Sequence, residues 1–283
     1  MLSVLIVNWN TRDLLRACLA SLRAHPASGE METIVVDNAS TDGSAEMVRA
    51  EFPEVDLVAS PVNTGYARGN NLAFARAKGD RLLTLNPDTE VLEGTLDGAL
   101  TALDRHSGAG AVAVRLVGPD GRTQRSVRGF PTAGAILGDL LRMGDAYRLR
   151  RFDYEAEGPA PQPMGTFLLF RREALAAVGD PTAPFDEDFP IFFNEVDLLK
   201  RLDDAGWPTV YTPDAAILHH GGESTKQVRK AMIWESHRSL VRYLRKHRGT
   251  GLATAALPLV AAVVSFAALV RARGTHEGFV PPA

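Results

Sequence analysis

The chain has 283 residues, enough for one large α/β domain with an appendage, and its 45% hydrophobic content supports a substantial core. A net charge of −3 gives no general attraction to nucleic acid, so a nucleic-acid-binding protein is not expected. The single cysteine, Cys18, excludes an intramolecular disulfide and a cysteine-based zinc cluster. It lies among leucines at helical spacing, which predicts a buried core position.

The N-terminal half alternates short apolar runs with helical patterns. Continuous apolar runs at 3–7, 33–36, 55–59 and 81–85 predict strands that are covered on both faces. The first of these runs lacks the basic region and cleavage site of a signal peptide. Each run is followed by a polar turn and then by apolar residues at helical spacing. This rhythm predicts an α/β fold with a mostly parallel sheet flanked by helices.

The fourth apolar run ends in the turn Asn86-Pro87-Asp88, where Pro87 fixes the backbone just before a carboxylate. Asp88 is therefore expected at the C-terminal edge of the sheet, where open α/β sheets bind their ligands. A lone, fixed carboxylate suits a divalent cation that carries phosphates. A turn or helix-capping role is the alternative for an isolated aspartate.

Two other turns at the same predicted edge carry groups suited to a nucleotide. Asp37 follows the second strand, where a carboxylate accepts hydrogen bonds from a base or ribose, with helix capping as the alternative. The Gly-rich loop 63–71 leads into a helix, and the helix N-terminus and Arg68 both suit an anion such as a diphosphate. Taken alone, the glycines are equally consistent with a tight turn.

The pattern loosens after these units. We expect a polar arm at 122–128, a short helix at 136–143 and a Pro-rich loop near the site at 148–163. Order returns with a buried strand at 166–170 and another at 207–212.

Two further residues could take part in chemistry. Glu195 lies in the first turn of a predicted helix, where the helix dipole favours an ionised carboxylate that can accept a proton. A surface glutamate that matches the dipole is the alternative. His219 and His220 follow a short apolar run, and neighbours on a strand point to opposite sides, so at most one is expected to bind a given metal.

Five ordered blocks together resemble the family 2 glycosyltransferases and, within them, the bacterial rhamnosyltransferase-like branch. The similarity covers about residues 3 to 247, and its blocks are Val4–Asn10, Val35–Ser44, Asn63–Ala67, Leu85–Asp88 and Phe193–Asp197. The resemblance implies a GT-A fold, in which a nucleotide-diphospho-sugar binds at the sheet edge. An acceptor hydroxyl then displaces the nucleotide with inversion.

The resemblance also implies roles for individual residues. Glu195 matches the general base, and Asp88 matches the last position of the family's Asp-x-Asp metal motif. His219 matches a position that completes the metal site in some relatives, with Mg²⁺ or Mn²⁺ as the cation. The residues expected to bind the nucleotide sugar are Asn8, Asp37, Arg68, Asn70, Asn86 and Asp88.

Two positions depart from the family pattern. Asn86 replaces the first aspartate of the metal motif, and Asn194 replaces the first member of the acidic pair. Both favour an alternative, a catalytically degenerate nucleotide-sugar-binding or scaffold protein of the same fold, whereas Asp88 and Glu195 favour an enzyme. A dinucleotide-dependent oxidoreductase is a third class, but the first strand runs into 8–11 without a Gly-x-Gly-x-x-Gly turn.

The sequence predicts a catalytic domain at 1–225 and a helical extension at 226–283. Residues 226–248 are basic and carry aromatic residues, which suits an anionic membrane surface, with a solvated helix face as the alternative. Residues 249–270 contain no charge and could span a bilayer, lie in its interface or pack on the catalytic domain. We therefore expect a protein at the cytoplasmic face of the cell membrane. It would use a dTDP- or UDP-linked sugar such as rhamnose and a glycan or lipid-linked acceptor in cell-envelope polysaccharide synthesis.

Overall fold

The computed structural model describes residues 1–140, 145–221, 228–247, 257–276 and 278–279. Within these ranges the chain forms a mixed central sheet flanked by helices. The strands are β1 (Leu2–Asn8), β2 (Met31–Asn38), β3 (Asp56–Ser60), β4 (Arg81–Leu85), β5 (Thr89–Val91), β6 (Ala111–Val117), β7 (Val127–Arg128), β8 (Gly158–Pro159), β9 (Gln162–Pro163), β10 (Phe167–Arg171) and β11 (Thr209–His219). The helices are α1 (Arg12–Ala24), α2 (Ser44–Glu51), α3 (Tyr66–Phe74), α4 (Thr95–Arg105), α5 (Ala133–Leu140), α6 (Arg172–Val178), α7 (Asn194–Asp204), α8 (Arg229–Lys246) and α9 (Leu257–Ala272).

The sheet is mostly parallel, as the sequence predicts. Its strand order is β3-β2-β1-β4-β10-β6-β11-β5, and β8 pairs with β11. The first four strands are parallel to one another, and so are β6 and β11, whereas β10 lies antiparallel between β4 and β6. The C-terminal ends of the parallel strands therefore meet the N-terminal end of β10 at one edge of the sheet.

Strand β1 shows why its sequence is continuously apolar. Val4 and Ile6 belong to one core cluster, together with three leucines of α1 (Leu15, Leu19 and Leu22) and the fully buried Cys18. Leu5 and Val7 belong to a second cluster with residues of α3. Each face of the strand thus meets its own core, which removes the polar alternation of a half-exposed strand. The predicted core position of Cys18 is confirmed, and burial raises the pKa of its thiol to about 12.

The irregular middle of the chain differs from the sequence expectations. The predicted loop 148–163 contains β8 and β9, which pair with β11 and β7. Strands of two residues carry no periodicity, so the pattern could not reveal them. The predicted strand at 207–212 and the short apolar run before His219 belong to one strand, β11, with an irregularity between Thr212 and Ala216. Helix α5 begins at Ala133, earlier than predicted, and residues 141–143 of the predicted helix lie outside the described residues.

The described part of the C-terminal extension is helical. Tyr243 and Leu244 of α8 pack with Val196 of α7 in a small apolar cluster, and α9 packs on α8. No helix in the described ranges is long and apolar enough to cross a membrane. Residues 248–256, which include the start of the predicted hydrophobic segment, lie outside those ranges.

Candidate active site

A cavity of about 510 Å³ opens at the edge of the sheet where the parallel strands end. Its polar lining includes Asn38, Asn63, Asn86, Asp88, Glu195 and His219. Its apolar lining includes Trp9, Met164, Ile191, Phe192, Met232 and Phe279. With Tyr66, the cavity thus combines four titratable side chains with a large apolar wall, to which the C-terminal extension contributes.

Asp88 and His219 come together because the chain, immediately after Asp88, forms β5, which is the last strand in the sheet order and lies beside β11. Strand β5 pairs antiparallel with β11 and places Thr89 opposite His219. The Nε2 atom of His219 lies 3.7 Å from Oδ2 of Asp88, and both side chains are almost fully buried. Burial lowers the pKa of the His219 ring, against the opposing charge of Asp88, so the ring is neutral near pH 7. A carboxylate oxygen and a neutral imidazole are suitable ligands for a divalent cation.

The second histidine takes another partner. Nε2 of His220 lies 2.7 Å from Oε1 of Glu90, while its backbone N–H donates to the carbonyl of Asp88 at 2.9 Å. Among the described residues there is no group of three or more His, Cys, Asp or Glu side chains that could hold a metal ion. The pair Asp88 and His219 therefore offers two protein ligands.

Glu195 enters the cavity from the start of α7. The helix begins after Phe193, whose φ of 68° is left-handed, a conformation that costs about 1–3 kcal/mol for a residue other than glycine. Burial raises the pKa of Glu195 to about 7, although its own backbone N–H and that of Val196 oppose the shift. The carboxylate is therefore poised to accept or give a proton near neutral pH.

The position before Glu195 does not line the cavity. Asn194 is fully buried, and its Nδ2 donates to the carbonyls of Ile191 at 2.8 Å and of Phe189 at 3.3 Å. It holds the loop that precedes α7. A carboxylate at this position would face those carbonyl oxygens, so asparagine here removes no acid from the cavity.

Asn86, in contrast, lines the cavity. Its Oδ1 accepts a hydrogen bond from the hydroxyl of Tyr66 at 3.0 Å. Burial, followed by the charge of Glu195, raises the pKa of Tyr66, which keeps the phenol protonated and able to donate. Tyr66 is a cavity residue that sequence reasoning did not single out, although it lies in a block that carries the family resemblance.

Asn8 and Asp37 lie together at the ends of β1 and β2, next to cavity residues. Nδ2 of Asn8 donates to Oδ1 of Asp37 at 3.0 Å, and the backbone N–H of Ser40 donates to Oδ2 at 3.0 Å. Their neighbours Val7 and Asn38 line the cavity, whereas Asn8 and Asp37 themselves do not. Contact between a nucleotide and this pair stays a prediction.

The start of α3 differs from the sequence expectation. The N–H groups of Tyr66 and Ala67 donate to the carbonyl of Pro190, at 2.6 and 3.1 Å, so the helix terminus predicted to suit a diphosphate is satisfied by the protein. Arg68 lies outside the cavity, with its side chain 55% exposed and its Nε 4.0 Å from Glu187. Asn70 is buried and donates to the carbonyl of Tyr66 at 2.9 Å.

Gly65 is required where this loop meets the one before α7. Its φ is +86°, and a Cβ at this position would lie 2.8 Å from the carbonyl oxygen of Pro190. Any other residue would therefore combine backbone strain with a collision. The contact fixes the two loops against each other at one end of the cavity.

The C-terminal residues reach the cavity by turning back after α9. Nε1 of Trp234 on α8 donates to the carbonyl of Gly274 at 2.9 Å, and NH2 of Arg238 lies 3.5 Å from the carbonyl of His276. These contacts bring Gly278 and Phe279 to the cavity wall. No local signal in the sequence could have found them, because they lie far along the chain from the other lining residues.

The sequence resembles a known family and a characterised relative. The family model described as Glycosyl transferase family 2 matches residues 3–179. An N-acetylglucosaminyl-diphospho-decaprenol L-rhamnosyltransferase of Mycobacterium tuberculosis (strain ATCC 25618 / H37Rv) is 30% identical over 269 residues, which are 88% of this chain and 86% of that protein.

Solved structures show the same fold. The mannosyltransferase PcManGT of Pyrobaculum calidifontis, in complex with GDP-Man and Mn²⁺, aligns with a TM-score of 0.61 and 20% identity over 98% of this chain and 76% of that one. S. aureus TarS 1–349, in complex with UDP-GlcNAc, aligns with a TM-score of 0.57 and 17% identity over 95% of this chain and 72% of that one. The predicted GT-A fold is confirmed.

Proposed function

Because the chain belongs to glycosyl transferase family 2, we propose that it transfers a sugar from a nucleotide-diphospho-sugar to an acceptor hydroxyl, with inversion at the anomeric carbon. The observation that carries this proposal is the presence of Asp88, His219 and Glu195 in one cavity. This arrangement supplies a cation-binding pair and a base to the same space.

The pair Asp88 and His219 would hold Mg²⁺ or Mn²⁺. When bound, the cation would stabilise the negative charge that develops on the leaving diphosphate. Two protein ligands leave coordination positions for diphosphate oxygens and water, which is common for Mg²⁺ in phosphate-handling sites. The Mn²⁺ in the complex of the mannosyltransferase PcManGT supports this part of the proposal.

Glu195 would act as the general base. Its carboxylate accepts the proton of the acceptor hydroxyl while the hydroxyl oxygen bonds to the anomeric carbon and the bond from that carbon to the diphosphate breaks. A pKa of about 7 makes the carboxylate a stronger base than an exposed glutamate. No covalent intermediate with the protein is needed.

The relatives and the cavity lining support particular classes of donor and acceptor. We propose a dTDP- or UDP-linked donor, with rhamnose as the leading sugar, and a lipid-linked acceptor in cell-envelope polysaccharide synthesis. The mycobacterial relative is named as a rhamnosyltransferase acting on a diphospho-decaprenol acceptor, which supports rhamnose as the sugar and a lipid-linked acceptor. The apolar wall, with Trp9 and Met164, suits the methyl group of a 6-deoxy sugar or apolar parts of an acceptor.

We further propose peripheral association with the cytoplasmic face of the membrane through α9. The exposed fractions of its apolar side chains are 70% for Leu259, 47% for Val263, 66% for Phe266 and 59% for Val270. Spacings of four, three and four residues place these side chains on one face of the helix. A large exposed apolar face of this kind marks an interaction surface, and the neighbouring positive charge of Arg271 suits an anionic bilayer.

Two experiments test the proposed function. The first is calorimetric titration with dTDP, UDP and GDP, with and without Mn²⁺, on the wild type and on Asp88→Ala. The second is sugar transfer from dTDP-rhamnose to a polyprenyl-diphosphate-linked acceptor, on the wild type and on Glu195→Gln.

Cation-dependent binding that Asp88→Ala loses, and turnover that Glu195→Gln loses, are the expected results. Nucleotide binding without turnover of any donor would instead favour the degenerate or scaffold protein. The position of Asn194 outside the cavity and of Glu195 in its lining supports the enzyme, whereas Asn86, the other departure from the family pattern, does line the cavity.

A further inference from the structure

Gln124 makes two contacts with His219. It lies in the polar arm after β6, and its backbone N–H donates to the carbonyl of Leu116 at 2.8 Å, which turns the arm back along the strand. Its Nε2 donates to the backbone carbonyl of His219 at 2.9 Å. Its Oε1 lies 2.7 Å from Nδ1 of the His219 ring.

These two contacts determine which ring nitrogen carries the proton. A backbone carbonyl can only accept a hydrogen bond, so the NH₂ group of Gln124 must face that carbonyl and Oε1 must face the ring. Oε1 also only accepts, so Nδ1 of His219 carries the proton. A neutral imidazole has one N–H, and Nε2 therefore keeps a free lone pair.

The nitrogen with the lone pair is the one that faces the proposed cation site. Nε2 is the His219 atom that lies 3.7 Å from Oδ2 of Asp88. In the opposite tautomer, Nε2–H would point towards the carboxylate and compete with a cation for it. The hydrogen bonds of Gln124 thus exclude the tautomer that could not bind a metal through Nε2.

We propose that Gln124 is a positioning residue, which holds His219 in the tautomer and orientation that a divalent cation requires. This inference rests on the cation site of the proposed function. Gln124 would support that site without lining the cavity. Removing such a hydrogen-bond partner typically costs 10–100-fold in metal affinity.

The test uses Gln124→Met, a side chain of similar length without the amide, and Gln124→Glu, whose carboxylate can still accept from Nδ1–H. The matched control is Glu90→Gln, which changes the 2.7 Å partner of the neighbouring His220 ring. Circular dichroism verifies that each variant is folded.

Two readouts are independent of enzymatic activity. Long-range ¹⁵N–¹H correlation spectra of protein labelled with ¹⁵N-histidine report the tautomer of His219 without metal. Titration with Mn²⁺, followed by electron paramagnetic resonance, reports the affinity. We expect the Nδ1–H tautomer in the wild type, its loss in Gln124→Met with about 10–100-fold weaker Mn²⁺ binding, and partial recovery of both in Gln124→Glu. Glu90→Gln should resemble the wild type.

Unchanged tautomer and affinity in Gln124→Met would overturn this inference alone and leave the proposed function standing. The same holds if Gln124→Glu binds Mn²⁺ no better than Gln124→Met. A wild type that binds no Mn²⁺, alone or with a nucleoside diphosphate, would overturn the inference together with the cation site.

Discussion

Asp197 of α7 and His247, directly after α8, are joined by a 2.7 Å contact between Oδ1 and Nε2. Nζ of Lys246 reaches the same oxygen at 2.7 Å, and Nε of Arg201 donates to the other oxygen at 2.9 Å. The Asp197 side chain is fully buried. Since Asp197 lies two residues after Glu195, this ionic network fixes the C-terminal extension to the helix that carries the proposed base.

Replacing Asp197 with asparagine should reduce the free energy of unfolding at neutral pH. Burial alone would raise the pKa of Asp197, but the hydrogen bonds from His247 and Lys246 and the charge of Arg201 outweigh it and lower the pKa to about 2. A carboxyl whose folded pKa lies below its unfolded value of about 4 contributes stability above that pH and loses it as the pH falls towards 2. The shift corresponds to about 2 kcal/mol.

Urea unfolding at pH 7 and at pH 3 measures this contribution. Wild type and Asp197→Asn should differ by about 2 kcal/mol at pH 7 and by less at pH 3. Asp203→Asn, on the exposed side of the same helix, is the control and should change little. An equal difference at both pH values would show that the charge of Asp197 does not stabilise the fold.

The rate of sugar transfer should increase with pH through about 7, because Glu195 must be ionised to act as a base and its pKa is raised to about 7. Glu195→Gln should lower the turnover number by about 10²–10⁴-fold and leave nucleotide affinity unchanged. Glu46→Gln is a matched control, since Glu46 is an exposed glutamate in the first turn of α2. A rate that stays constant between pH 5.5 and 8.5 would argue against Glu195 as the base.

Gly165→Ala should slow turnover without unfolding the protein. A Cβ at this position would lie 3.2 Å from Cγ and 3.4 Å from Cβ of Glu195, so the Glu195 side chain would have to move by a few tenths of an ångström. Small displacements of a catalytic group are costly, and we expect about a tenfold decrease in the turnover number. Gly108→Ala, where a Cβ would meet nothing within 4 Å, is the control. Equal rates for the two variants would show that Gly165 does not position the base.

The double substitution Leu259→Asp and Phe266→Asp should weaken binding to vesicles that contain phosphatidylglycerol. Burying one such side chain contributes about 1.5–3 kcal/mol, so losing two should reduce the partition coefficient at least tenfold in a sedimentation assay. Thr275→Asp adds a charge after the end of α9 and serves as the control. Unchanged binding of the double variant would contradict association through α9.

The sequence could predict what depends on local pattern. Apolar runs located β1 and β4, and the residues after them located the sheet edge at which Asp88 lies. The structure also brings Glu195 and His219 into the same cavity, although their roles stay predictions. The direction of Arg68 could not be predicted, because the rotation of a helix about its axis depends on what packs against it.

The residues that the sequence analysis did not single out share one property, which is that their positions depend on contacts between distant parts of the chain. Tyr66 and Gln124 act through hydrogen bonds to other side chains, and a hydrogen bond between residues distant in sequence leaves no periodic trace. Met232 and Phe279 line the cavity because the helices of the extension pack back on the domain. Only the folded chain reveals such neighbours.

The cavity wall unites two distant parts of the chain. Val7, at the end of the first strand, and Phe279, among the last residues that the structure describes, line the same cavity. A ribosome releases Val7, Asp88 and Glu195 long before Phe279, so in a growing chain the carboxylates of Asp88 and Glu195 would line a cavity that still lacks part of its wall. The enclosed cavity would therefore form only after Phe279 has left the ribosome.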